Sequence, residues 1–324
     1  KYYLRFWLSI CRTSLAVSAL RIMRYYPNIF WVDPLRRPIF YASRAILHRS
    51  PCRHDAKKED NPMALFTTLY SGSSGNCALV RAGQQYLLVD MGKSCRTTLA
   101  ALKSLELPVS DCAGILITHE HSDHVAGLDT FLKKHPLPVY GCADTLDMLE
   151  SRGTLPPAVE RTAIDGQTVE IGGFTVTCFP TSHDVPCCGY RIRTPDDSVM
   201  ALATDLGVLT GVVIDNLSGC DLVALEANYD AFSLHGGPYP YYLKVRIASD
   251  RGHLDNKACA AEILELIQDG CKKFALCHLS QTNNSPELAL TTVYNVLLAA
   301  GIQPGRDVLI QAQERNEVSP YIEF

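Results

Sequence analysis

Several features are scarce in this 324-residue chain, and each scarcity closes a class of explanation. The apolar stretch near the start is interrupted by Arg5, Arg12 and Arg21. It falls short of the ~20 residues that a membrane helix needs, so no membrane partner is expected. Thirteen cysteines are present, but none are spaced as Cys-x-x-Cys, the count is odd, and the neighbours Cys187 and Cys188 cannot easily pair with each other. They read as reduced thiols of a cytoplasmic protein. Positive charge is also lacking over most of the chain. Residues 1–62 hold 12 of the 30 Lys/Arg and 4 of the 34 Asp/Glu, which leaves 18 basic against 30 acidic residues in 63–324. A body near −12 repels a polyanion at long range, so any nucleic-acid binding has to come from a local basic patch and bound cations.

Glycine is absent from residues 1–62, although the chain has 21, and both tryptophans, Trp7 and Trp31, lie there. That shift in composition separates 1–62, expected to be a disordered or artefactual N-terminal extension, from a folded domain over 63–324. From Met63 onward short β-rich runs alternate with helical patterns. The spacing predicts strands near 64–70, 76–81, 85–90, 114–118, 168–171, 173–180, 188–194, 198–203, 221–226 and 273–278. It predicts helices near 95–105, 207–217, 256–269 and 286–299. Strands at both ends, each half closed by helices, suggest two packed sheets with outer helices, an α/β (α+β) arrangement.

Directly after the buried strand Gly114-Ile-Leu-Ile-Thr118 comes His119-Glu-His-Ser-Asp-His124. His119 and His121 can converge on one ion while Asp123 and His124 face a second. Imidazole and carboxylate donors suit Zn²⁺, Mn²⁺ or Fe²⁺, and the lack of thiolates in the run argues against a closed structural zinc site. The run is not a His-Glu-x-x-His motif, because position 123 is Asp. Further donors stand at strand ends: His183 in Pro180-Thr-Ser-His-Asp184, Asp205 closing Val199-Met-Ala-Leu-Ala-Thr-Asp205, and His278 closing Lys273-Phe-Ala-Leu-Cys-His278.

His-x-His-x-Asp-His followed by a separate His, Asp and His at strand ends resembles the metallo-β-lactamase fold superfamily. The resemblance implies a four-layer αββα sandwich. It also implies a first metal held by His119, His121 and His183, a second held by Asp123, His124 and His278, and Asp205 bridging the two. Asp90, in Leu87-Leu-Val-Asp-Met-Gly92, matches the family's early strand-end aspartate and would orient a ligand histidine. Two divalent ions, Zn²⁺ or Mn²⁺, are the implied cofactors.

Three other segments bear on the substrate. Ser73, Ser74 and Asn76 sit in a Gly/Ser-rich turn whose N–H groups and hydroxyls could meet phosphate oxygens. Lys244, Arg246, Arg251 and His253 supply within ten residues the basic patch that the body lacks. With Gly252-His-Leu-Asp-Asn256 and His278-Leu-Ser-Gln-Thr-Asn-Asn284, these runs resemble the YycJ/WalJ-like branch, that of 5′→3′ DNA exonucleases. Asp255 stands where Ser is expected, and Gln281 where an acidic residue is usual.

The resemblance implies hydrolysis of a DNA phosphodiester by a hydroxide shared between two cations. Asp123 would take part through the metal, and His253 would serve as general acid to the leaving oxygen. Lys244, Arg246, Asn256, Asn283 and Asn284 would join the turn residues as phosphate contacts. The rival readings are a thioester or lactone hydrolase of a small metabolite, since the same chemistry attacks carbonyl carbon, and a metal-binding scaffold without turnover.

Overall fold

The computed structural model describes residues 63–324, so the expectation placed on 1–62 lies outside the described residues. Two seven-stranded sheets carry the architecture. The first runs β14 (Ile322–Glu323), β1 (Leu65–Tyr70), β2 (Cys77–Ala82), β3 (Gln85–Val89), β4 (Cys112–Ile117), β5 (Val139–Gly141), β6 (Arg161–Ala163). The second runs β13 (Leu309–Ala312), β12 (Lys273–Cys277), β11 (Leu222–Glu226), β10 (Val199–Ala203), β9 (Cys188–Arg193), β8 (Phe174–Pro180), β7 (Thr168–Ile171).

The central strands are apolar on both faces because both faces are covered. In β3, Leu87 and Val89 enter the core between the sheets, while Tyr86 and Leu88 pack outward with Leu102, Phe131 and Leu149. Those three come from α1 (Cys95–Ser104), α3 (Leu128–Leu132) and α4 (Ala143–Ser151). In β11, Leu222 and Ala224 face inward; Val223 and Leu225 meet Ile263 and Val293. These belong to α8 (Asn256–Gln268) and α9 (Pro286–Ala299), which flank the second sheet with α5 (Gly211–Leu217). Each fully buried Leu or Phe in these layers stabilises the fold by roughly 1.5–3 kcal/mol. The layers are helices, sheet, sheet, helices, the expected αββα sandwich.

The helix expected over 207–217 begins only at Gly211. Thr210 caps it, its hydroxyl accepting from the Val213 N–H, and Gly207 is held by the Ser182 carbonyl. Small elements without a long apolar period escaped the sequence reading: α2 (Ser122–Val125), α3, α4, α6 (Ala231–Gly236), α7 (Tyr241–Ile247), β5, β6, β13 and β14. No helix among the described residues is long and apolar enough to cross a membrane.

Parallel pairing of β3 with β4, and of β10, β11 and β12 with one another, brings the ends of these strands to one edge. The loops after them meet there. Gly92 allows this closeness: a Cβ on it would stand 1.7 Å from the Asp123 carbonyl oxygen. Across the sheets, the Cys188 N–H donates to the Thr118 carbonyl.

Candidate metal centre

Seven sequence-expected donors converge on this edge. His119, His121 and His183 bring ligand atoms within 4.8 Å of one another, as do Asp123, His124 and His278, and also His119, His124 and Asp205. Asp205 faces both halves, with Oδ1 3.9 Å from His183 Nε2 of the first and Oδ2 3.3 Å from His124 Nε2 of the second. Asp123 Oδ2 lies 3.6 Å from both His124 Nε2 and His278 Nε2.

The chain fixes four of the five rings from behind. His124 Nδ1 lies 2.7 Å from Asp90 Oδ2, and His278 Nδ1 lies 2.8 Å from Glu226 Oε1. His183 Nδ1 donates to the Gly252 carbonyl at 3.1 Å, and His119 Nδ1 meets the Thr118 hydroxyl at 3.0 Å. With Nδ1 engaged in these four rings, Nε2 is left to face the centre, the arrangement by which proteins set a metal-binding tautomer. Asp90 does more than hold one histidine: it also accepts from the Thr118 N–H and hydroxyl, both at 2.8 Å, and so fixes the start of the loop. Asp90, Asp205 and His278 all adopt left-handed backbone at φ 64°, 58° and 56°, a costly conformation for non-glycine residues that concentrates at functional sites.

The donor set fits divalent cations. His119 Nε2, His183 Nε2, His278 Nε2 and Asp205 Oδ2 are buried with no hydrogen-bond partner among the described residues, and such atoms are expensive unless something meets them. The electrostatics divide the cluster. Burial, reinforced by the surrounding imidazoles, holds His119 well below its ordinary value. Burial also opposes charge on His124, but Asp205 and Asp90 outweigh it and raise the ring to about 9. His278 is raised in the same way by Asp205, Asp123 and Glu226.

Glu226 is one of two site residues to which the sequence reading gives no role. It closes an otherwise apolar strand and is fully buried. Besides His278, its Oε1 lies 2.8 Å from His253 Nδ1, and its Oε2 accepts from the Leu206 and Leu254 N–H groups. Burial works against charge on both partners, yet their mutual attraction lowers Glu226 and raises His253. The signal was available, since a carboxylate ending a buried strand is the pattern that singled out Asp205.

His253 borders the cluster without joining the His119 half, its ring centroid 5.3 Å from those of His183 and His278. It lines an open cleft of about 190 Å³ with Ser73, His183, Asp184, Tyr239, Arg246 and Arg251. Asp184, also unassigned from sequence, accepts from Arg246 Nε at 2.9 Å and reaches toward His121 Nε2 at 3.5 Å. Arg251 donates to the His183 and Asp184 carbonyls, so it braces the loop that carries a ligand.

Several expected phosphate contacts need correction. Lys244 lies on the other side of α7, where its ammonium donates to the His235 carbonyl and lines a different groove. Asn256 and Asn284 are buried and spend their amides on each other at 2.8 and 3.0 Å. Asn76 is likewise occupied: its Oδ1 accepts from the Gly72 N–H, and its Nδ2 faces His124 Nε2 at 3.1 Å. Asn283 is buried against Gly237, whose Cβ would stand 2.9 Å from its Oδ1. Ser74 is exposed and outside the cleft lining. Ser73 and Arg246 are therefore the expected phosphate contacts that do reach the cleft.

Comparison with known proteins agrees with this geometry. The profile of the Beta-lactamase superfamily domain matches residues 85–278. The exodeoxyribonuclease YycJ of Bacillus anthracis is 36% identical over 241 residues, covering 74% of this chain and 91% of that protein. The exodeoxyribonuclease WalJ of Streptococcus pneumoniae is 31% identical over 262 residues, covering 80% of this chain and 97% of that protein. Among solved structures, the metallo-β-lactamase fold protein YhfI from Bacillus subtilis superposes with a TM-score of 0.61 at 20% identity, over 79% of this chain and 98% of that one.

Proposed function

The chain belongs to the β-lactamase superfamily and is a metal-dependent hydrolase acting on nucleic acid, and from that premise we propose that its substrate is DNA, degraded from the 5′ end. One observation carries the reading. An imidazole held by a buried carboxylate, the His253–Glu226 pair, stands at the edge of the ligand cluster inside a cleft that also holds Ser73 and Arg246. An ester of phosphate needs both of these things: donors for its oxygens and a proton for the departing alkoxide.

His119, His121 and His183 would hold one cation, Asp123, His124 and His278 a second, with Asp205 between them; zinc or manganese suits these donors. Such ions supply Lewis-acid polarisation of a phosphoryl oxygen and make water acidic enough to ionise near neutrality. The chain's own groups do the rest. Arg246 and the Ser73 hydroxyl orient the phosphate. Arg251, locked to the His183 and Asp184 carbonyls, keeps the cleft wall in register with the ligands. His253 delivers a proton from Nε2, because Nδ1 is committed to Glu226, and Glu226 favours the charged ring. The eleven cysteines among the described residues are all free, in keeping with a reducing compartment, the cytoplasm.

The test incubates the purified chain and zinc or manganese with 5′-phosphorylated duplex DNA, RNA, bis-(p-nitrophenyl) phosphate and an acyl thioester. Release of mononucleotides from the 5′ end of DNA is the expected result. Turnover of the thioester alone would transfer the assignment to carbonyl chemistry.

A further inference from the structure

A second group of metal-type donors lies apart from the seven. Cys142, Cys178 and Cys188 bring their sulfurs within 4.8 Å of one another, and the first two are 3.9 Å apart. No pair of them has metal-motif spacing; the fold assembles them. Cys142 follows β5 of the first sheet, whereas Cys178 and Cys188 lie on β8 and β9 of the second. The β8–β9 register opposes Cys178 to Tyr190 and Pro180 to Cys188, so the two cysteines are diagonal neighbours on one face. That face is the core between the sheets, against which Cys142 packs.

We propose that these three thiols form a binding site for a thiophilic d¹⁰ cation of the zinc class, tying the two sheets together beside the hydrolytic centre. A Zn–S bond of about 2.3 Å in tetrahedral geometry separates neighbouring sulfurs by roughly 3.8 Å, which the Cys142–Cys178 spacing already meets. Three sulfurs leave a fourth position, and the fold provides access to it. Cys142 is only partly buried and lines an open cavity of about 440 Å³ shared with Asp144 and Asp165, carboxylates that favour an arriving cation. Binding would expel the thiol protons to solvent through the same opening. The site is chemically distinct from the hydrolytic centre, whose converging donors are imidazoles and carboxylates without sulfur.

That difference makes the test selective. Cadmium added to the reduced, purified chain should give an ultraviolet thiolate-to-metal charge-transfer band that saturates at one equivalent, and zinc should compete for it. Cys142→Ser and Cys178→Ser should lose most of the band, with affinity at least tenfold weaker, while Cys271→Ser, remote from the trio, keeps it. Metal at the His/Asp centre, measured by mass spectrometry, stays unchanged in all three. Absence of the band in the folded parent chain, or its persistence undiminished in both trio variants, would overturn the proposal. Cys142 stands partly exposed at the cavity, so its variant remains informative should Cys178→Ser fold poorly.

Discussion

The floor of the site and its wall are built on opposite plans. On the floor, His119, His124, His183, Asp205 and His278 are buried, and a defined partner sits behind each imidazole. The wall, α6 and α7 with the loop to His253, is open. None of the seven residues of α7 is buried, and Phe232, Tyr241 and Tyr242 are 87%, 82% and 74% exposed. The wall is moored to the floor through a few side chains: Arg251 on the His183 and Asp184 carbonyls, Arg246 on Asp184 and His253 on Glu226. The floor is overdetermined because reaction chemistry tolerates little displacement; on the function proposed above, the wall would meet a polymer that varies from one contact to the next.

The sharpest way to break this contrast is at its centre. Asp205→Ala removes the one carboxylate facing both halves, and should strip metal and lower phosphodiester turnover by more than about 10³-fold, the scale of losing a main source of transition-state charge stabilisation. Metal analysis beside single-turnover assays checks it; retained metal with near-normal rates would mean that the floor is not a unit. Next in size, His253→Ala should retain metal yet lose about 10²- to 10⁴-fold in kcat, as removal of a general acid does. A full rate in that variant would return the residue to a purely structural role. Asp90→Asn leaves every ligand in place but loosens the hold on His124 and Thr118. It should weaken metal affinity by about 10- to 100-fold, read by competition with a chelator. The smallest effects belong to the wall. Arg246→Ala should raise KM for DNA by about tenfold or less and flatten its salt dependence, since one phosphate contact is lost. Lys244→Ala, facing the other groove, should shift KM by no more than about twofold; an effect as large as that of Arg246→Ala would place the polymer on the far side of α7.

The floor was legible from the chain because its residues are compressed into a motif or stand where a β-rich run stops. His119 to His124 occupy six positions, and Asp205 and His278 each end an apolar strand. Glu226 has the same placement but was passed over, because a single acid at a strand end is unremarkable until the two imidazoles from distant loops are seen to share it. The wall was read less well for a different reason. Local density of Lys and Arg cannot say which side of a helix faces the cleft, and α7 separates Lys244 from Arg246. Asn256, Asn283 and Asn284 fit a polar-contact pattern equally well whether they face solvent or each other. Only packing decides, and it buried all three. The cysteine trio lay beyond any spacing rule, because its members come from two sheets.

The left-handed backbone at Asp90, Asp205 and His278 sets stability and activity against each other. Each of these positions costs on the order of 1–3 kcal/mol as a non-glycine residue in a sparsely populated conformation. Glycine, or asparagine in place of either aspartate, would relax the chain there and discard the donor at Asp205 or His278, or the carboxylate that holds His124 at Asp90. A mutant library of this protein selected for heat resistance alone should drift toward those substitutions and emerge hardier and inert. The same library selected for turnover should keep all three, and the difference between the two outcomes would mark the centre without any knowledge of its substrate.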